Sequence, residues 1–355
     1  MQKALVALTL ITCLFLGAGL DAQPWTQEKA NAWLAEQPWI AGFNYVPSYA
    51  VNSLEQWQEE SFDLEVIERE LTWGAEIGYR GVRVFLPYTV WKADRDGLFK
   101  RFDQFAGICD KLELKIVPVI LDDCAFGEPA VLESKVGPQR EPIPGMILSS
   151  WVPSPGNNVP LNPEGVKEIQ RYLEDWLNRY ADSKSILFWD LFNEPLHSAK
   201  VGSPEMLQAI FWKAWQSRPS QPLTVGVWSD NVKLNSIIYT HSDILSFHTY
   251  GDTSQIKRMI ELMQAQNRPV VCSEWMARPL KSDFEKDLPL FKVKKVMCFQ
   301  WGLVNGRTQA QFPWWNKPGQ KEGIDKAGWF HDVLHTDGTA YRESEITFLK
   351  AFLAK

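Results

Sequence analysis

Ser185-Ile186-Leu187-Phe188-Trp189-Asp190-Leu191-Phe192-Asn193-Glu194-Pro195 is a run of bulky apolar residues that stops at an amide, a carboxylate and a turn-forming proline. It reads as an apolar strand over 185–192 with Asn-Glu-Pro at its C-terminal end. Working outward, the same rhythm recurs on both sides. Strands are predicted over 39–45, 81–86 and 115–121 before it, and over 223–227, 244–248, 269–273 and 295–301 after it. Helical segments follow these strands over 63–77, 99–112, 163–180, 203–216, 232–239, 254–265, 284–291 and 343–353. The first of these places Leu64, Ile67, Leu71 and Ala75 at helical spacing. The 163–180 helix opens on Asn162 as N-cap with Pro163 at its first position. This repeating strand-then-helix order predicts an α/β chain folded as a single (β/α)₈ TIM barrel. The rival, a doubly wound open sheet, lacks the glycine-rich phosphate loop after its first strand. Two long segments, 122–161 and 302–342, follow the third and eighth strands and so belong to the C-terminal face, where barrel enzymes carry their sites.

The formal net charge of −6 and the absence of any Lys/Arg run argue against a nucleic-acid partner. Met1-Gln2-Lys3, the apolar stretch from Ala4 to Leu20 and Asp21-Ala22 have the pattern of a secretory signal over residues 1–22. The expected mature domain is therefore 23–355, secreted or periplasmic. The rival reading, a membrane or lipid anchor, is disfavoured because the apolar stretch is shorter than the ~20 residues of a spanning helix; nothing else approaches that length, so no membrane span is expected in the mature chain. Cys109, Cys124, Cys272 and Cys298 lack CxxC spacing and an accompanying His cluster, so no zinc site is expected. Buried free thiols are the expectation, with a Cys272–Cys298 disulfide left open should their strands be neighbours.

A carboxyl at the mouth of a barrel, flanked by apolar residues, can have its pKa raised by desolvation and act as an acid near neutral pH. Glu194 is in that position. A second strand ends the same way, at Val270-Val271-Cys272-Ser273-Glu274-Trp275. Two glutamates ending the fourth and seventh strands of one barrel could converge across one bond, and glycoside hydrolysis needs two carboxyl groups placed so.

With these motifs the chain resembles the (β/α)₈ clan of retaining glycoside hydrolases with catalytic Glu after strands four and seven, and within it glycoside hydrolase family 5, the cellulase-like group. The resemblance covers essentially the whole mature chain. It implies Glu194 as acid/base, Glu274 as nucleophile, and Asn193 as a partner for the sugar 2-hydroxyl. It implies further that Arg83 supports the nucleophile, that His248 contacts substrate or the acid/base, that Tyr250 hydrogen-bonds the nucleophile, and that Trp301 is a platform for the sugar ring. The implied partner is a carbohydrate, by default β-linked, and the implied chemistry is double displacement without cofactor or metal. Where the family commonly has a His after strand three, this chain has Asp122-Asp123, either of which could bind substrate hydroxyls instead or bind nothing. Trp314, Trp315 and Trp329 in the last long loop are candidates for lining the site, and the long loops favour a pocket and exo action or short oligosaccharides. The rivals are a non-catalytic carbohydrate-binding barrel, a transglycosylase using the same glycosyl-enzyme, and a metal-dependent barrel hydrolase, for which strand-end His/Asp ligands are missing.

Overall fold

The computed structural model describes residues 23–319 and 328–354. The leader read at 1–22 lies outside them. Eight parallel strands form the centre: β1 (Ala41–Asn44), β2 (Gly81–Phe85), β3 (Lys115–Val119), β4 (Trp189–Asp190), β5 in two pieces (Leu223–Thr224 and Gly226–Val227), β6 (Leu245–His248), β7 (Val270–Trp275) and β8 (Met297–Trp301). β1 pairs with both β2 and β8. One piece of β5 pairs with β4 and the other with β6, so the sheet closes through Val225 into a barrel.

Among the described residues the helices are α1 (Gln27–Glu36), α2 (Ser53–Trp57), α3 (Leu64–Ile77), α4 (Tyr88–Ala93), α5 (Arg95–Lys111), α6 (Pro163–Arg179), α7 (Pro204–Ser217), α8 (Val232–His241), α9 (Thr253–Gln264), α10 (Phe284–Val293) and α11 (Glu343–Leu353). Their starts follow from local chemistry. Asp63, Asn162, Ser203 and Asp252 each turn a side-chain oxygen onto a first-turn N–H, a group the helix itself leaves unpaired. α5 begins earlier than the expected residue 99 because Asp94 caps it through Gly97 N–H. β4 is shorter than the expected 185–192. The chain there stays extended, but its backbone bonds alternate between sides: Leu187 N–H donates to Ile116 on one neighbour and Leu191 N–H to Thr224 on the other.

Side-chain alternation sorts the core into layers. Val82 and Val84 of β2 face the helices, whereas Arg83 points into the barrel, fully buried. At the N-terminal end Ile40, Leu187, Phe188, Ile244, Val271, Met297 and Phe299 form a plug over which Trp33 and Leu34 of α1 pack. Gly42 and Gly81 leave room for Phe299, since a Cβ at either would lie within 2.7 Å of its ring. The two long loops meet over one side of the C-terminal face, where Leu148 N–H donates to Thr308 O at 2.7 Å and Gln309 Nε2 to Ile143 O at 2.9 Å. Cys272 and Cys298 are partners in register across β7 and β8, yet both are free thiols, as are Cys109 and Cys124. Among the described residues no helix is long and apolar enough to cross a membrane.

Candidate active site

The site grows upward from Arg83. A guanidinium has five N–H donors and no acceptor, so burying it demands a complete set of acceptors. Nε and Nη2 donate to Asp190 Oδ2 at 3.1 and 2.7 Å. Nη1 donates to Asn44 Oδ1 at 2.7 Å and Glu274 Oε1 at 2.6 Å, and Nη2 also to Asn193 Oδ1 at 2.6 Å. One cation thus ties together the ends of β1, β4 and β7. Glu274 receives a second bond from Tyr250 OH on Oε2, at 2.6 Å. Burial, and then the charge of Glu274, push the Tyr250 phenol well up, so it remains a donor. The Glu274 carboxylate is held at both oxygens.

Glu194 lies across from it. One oxygen of each carboxyl, together with a His248 ring nitrogen, falls within a 4.8 Å span. Glu194 has φ of 43°, in the left-handed region that costs a non-glycine residue about 1–2 kcal/mol. Asp123 anchors the turn that imposes this conformation: its carboxylate accepts N–H bonds from Leu196 at 2.7 Å, Gly202 at 2.9 Å and Val201 at 3.2 Å. Oε1 of Glu194 meets His248 Nδ1 at 2.8 Å, and Oε2 accepts from Cys124 Sγ at 3.2 Å. His248 Nδ1 is also 3.6 Å from Glu274 Oε2, while Nε2 is buried without a partner. Gly226 allows that approach, for a Cβ there would sit 2.9 Å from Nε2.

Desolvation was expected to raise Glu194. Burial does push it up, but the hydrogen bond and charge of His248, the charge of His197 and the Cys124 thiol outweigh burial and leave it below the ordinary carboxylate value. Burial lowers His248, but the Glu274 charge and the contact with Glu194 reverse this and raise it. Both shifts act in the same sense and favour the proton on the imidazole rather than on the carboxyl.

These groups face a cavity of about 830 Å³ at the C-terminal end of the barrel. Asn193, Glu194, His248, Tyr250, Glu274, Trp301 and Trp314 all line it. Arg83 lies beneath its floor. Asp122 and Asp123 do not reach it. Asp122 is buried behind the wall, accepting from Asn193 Nδ2 at 2.9 Å and Trp151 Nε1 at 2.7 Å, and burial raises its carboxyl to about 7 against those bonds. The pair expected to meet substrate hydroxyls instead orients Asn193 and the Glu194 turn. Trp329 is stacked on Tyr341, with centroids 4.3 Å apart, and Trp315 packs edge-on against Phe330 with half its surface in solvent; neither lines the cavity.

Cys124, Trp151, His197, Trp228 and His331 line the cavity without having been singled out from the sequence as site residues. A signal for some was available: the chain has five histidines, and three of them, His197, His248 and His331, face this one space. His331 is held neutral, pushed down to about 3 by burial, and its ring is nearly parallel to Trp301 at 6.0 Å. Trp301, Phe85 and Trp151 complete an aromatic wall.

Solved structures that share this fold include glycoside hydrolases. No protein-family model matches the chain, and no curated protein matches it in sequence. A subfamily GH5_18 enzyme from Streptomyces cattleya, solved in complex with Manβ1-4GlcNAc, superposes with a TM-score of 0.60 at 16% identity, over 88% of this chain and 80% of that one. The exo-β-1,4-mannosidase of Opitutaceae bacterium strain TAV5 gives 0.62 at 14% identity, over 89% of this chain and 59% of that one. The hyperthermostable endo-1,4-β-D-mannanase of Thermotoga petrophila gives 0.55 at 12% identity, over 89% and 99%. At these identities the likeness is one of fold.

Proposed function

We propose that the protein is a retaining glycoside hydrolase that cleaves β-mannosidic linkages in short oligosaccharides. The observation that carries this reading is the carboxyl pair: Glu194 and Glu274 face one cavity with oxygens within 4.8 Å, and Glu274 is bonded at both oxygens. Oxygens this close suit the carboxyl spacing of about 5–5.5 Å used by retaining enzymes better than the about 6.5–9.5 Å by which inverting enzymes admit a water.

Each group then has a task. Arg83 and Tyr250 aim Glu274 Oε at the anomeric carbon. As the new C1–O bond forms and the glycosidic C1–O bond breaks, the proton held between His248 and Glu194 passes through Glu194 to the leaving oxygen. In the second half, water gives its proton to Glu194 and its oxygen to C1, and Glu274 leaves. Asn193 has its oxygen on Arg83 and its amide nitrogen turned toward Asp122 and Cys124, which fixes the face it offers to a sugar hydroxyl. Trp301 and Trp314 offer apolar faces to pyranose C–H groups. The cavity is toward the upper end of the ~300–1,000 Å³ of small-ligand pockets, which suits a short oligosaccharide. Mannose is named because the fold neighbours include a β-mannosidase, a β-mannanase and a complex with a β-mannoside. The leader reading of residues 1–22 would put this substrate outside the cytoplasm.

The test is turnover of aryl β-mannoside, aryl β-glucoside and β-1,4-manno-oligosaccharides by the native chain and by Glu194→Gln and Glu274→Gln. The expected result is a preference for mannosides and a loss of at least about 10²–10³-fold in each variant. Near-full activity in either variant would remove that residue from the mechanism.

A further inference from the structure

Cys124 comes from the segment after β3 and His197 from the turn after β4, and both flank the same oxygen of Glu194. Sγ of Cys124 is 3.2 Å from Oε2, Nε2 of His197 is 3.9 Å from it, and the three atoms all lie within 4.8 Å of one another. We propose that Cys124, Glu194 and His197 form a binding site for a thiophilic divalent cation, best fitted by zinc, whose occupancy withdraws Glu194 from catalysis.

Zinc binds sulfur at about 2.3 Å and nitrogen or oxygen at about 2.0–2.2 Å, so tetrahedral ligands stand roughly 3.4–3.6 Å from one another. The observed separations bracket that spacing, and small side-chain rotations suffice to close on an ion. The donor set also balances charge, since a thiolate and a carboxylate together neutralise a divalent cation. The imidazole is already oriented for this. Its Nδ1 contacts Ser198 Oγ at 2.7 Å, which leaves Nε2 toward Glu194, and the ring sits between Phe126 and Trp228 at 5.3 and 5.2 Å. Such outer contacts orient metal-ligating histidines. All three residues line the cavity, so an ion has an entry path and its fourth position opens to water.

A second trio, Glu194, His248 and Glu274, is equally compact. It is a poorer site, because Glu274 is already bonded to the Arg83 guanidinium, whose charge repels a cation. The cysteine spacing along the chain gave no hint of the first trio, because two of its three members are on the turn after β4 and the third is in the segment after β3. Binding exchanges the thiol proton for the metal: the S–H bond breaks, an S–metal bond forms, and one proton is released.

The test is a titration of the folded, chelator-stripped protein with Zn²⁺ by calorimetry, and with Co²⁺ as a spectroscopic probe. One equivalent should bind, and Co²⁺ should show a thiolate charge-transfer band. Cys124→Ser should abolish the band, and His197→Ala should weaken binding at least about tenfold. The Cys109→Ala variant should keep both. Should Cys124→Ser fail to fold, His197→Ala carries the test. Absence of binding, a band that survives Cys124→Ser, or unchanged affinity in His197→Ala would overturn the proposal. Inhibition of turnover by Zn²⁺ rests in addition on the catalytic reading of Glu194. Zinc bound with the expected ligands but without inhibition would contradict that role and the claimed withdrawal of Glu194, while leaving the metal site standing.

Discussion

His248 presents Nδ1 to Glu194 Oε1 at 2.8 Å, and the two share one proton that neither would hold in the same way alone. Burial opposes both charges, yet the imidazole is raised and the carboxyl lowered. The sign of each shift fixes a pH window. Stability from the lowered Glu194 is present above its ordinary value of 4.5 and lost as pH falls through the shifted one. Stability from the raised His248 is fully present below its ordinary 6.5 and lost as pH rises through the shifted one. The pair therefore stabilises the protein most between pH 4.5 and 6.5. Urea unfolding across pH should show this maximum, and His248→Gln should flatten it. The alkaline limb of kcat/KM should fall above the ordinary histidine range, because turnover needs the shared proton.

Removing Arg83 leaves Asp190 and Glu274 buried without their cation, and Asp190 Oδ1 has no partner already. Arg83→Met should cost about 3–5 kcal/mol of stability at neutral pH, as breaking a buried pair does. The loss should shrink at low pH, where the stranded carboxylates take up protons. Denaturant midpoints at two pH values check this. A variant as stable as the native chain would show that the Arg83 network is dispensable.

Trp314 and Trp315 are neighbours in sequence but not in role. Trp314 lines the cavity edge-on to Tyr250 at 4.8 Å, whereas Trp315 faces solvent and Phe330. Trp314→Ala should raise KM by roughly 2–10-fold with kcat nearly retained, the scale of an aromatic contact worth about 0.5–1.5 kcal/mol. Trp315→Ala should leave both unchanged. Steady-state kinetics on an oligosaccharide separates the two.

The barrel was legible because its signals are local: β-branched or bulky runs, helical spacing, and a cap such as Asn162. Glu194 and Glu274 were legible because strand ends of a closed barrel converge whatever the loops do. What stayed hidden depends on loop paths. Asp122-Asp123 carries the charge expected of a substrate contact, yet three N–H groups from 196–202 and the donors of Asn193 and Trp151 satisfy it inside the wall. Cys124 reads as a small apolar core residue and is indeed buried, but it sits where β3 and the β4 turn meet over Glu194. α2 and α4 were missed because each is short and lies within a connection. Trp329 was displaced from the candidate set by Tyr341, a stacking partner in the same loop that no periodicity announces.

The most direct test of the carboxyl pair is the configuration of the first product. Proton NMR of aryl β-mannoside hydrolysis, recorded before mutarotation, should show the β-anomer of the free sugar appearing first. It should be paired with azide rescue of Glu274→Ala that yields the α-glycosyl azide. First appearance of the α-anomer from the native protein would contradict a nucleophilic Glu274 and the double displacement built on it.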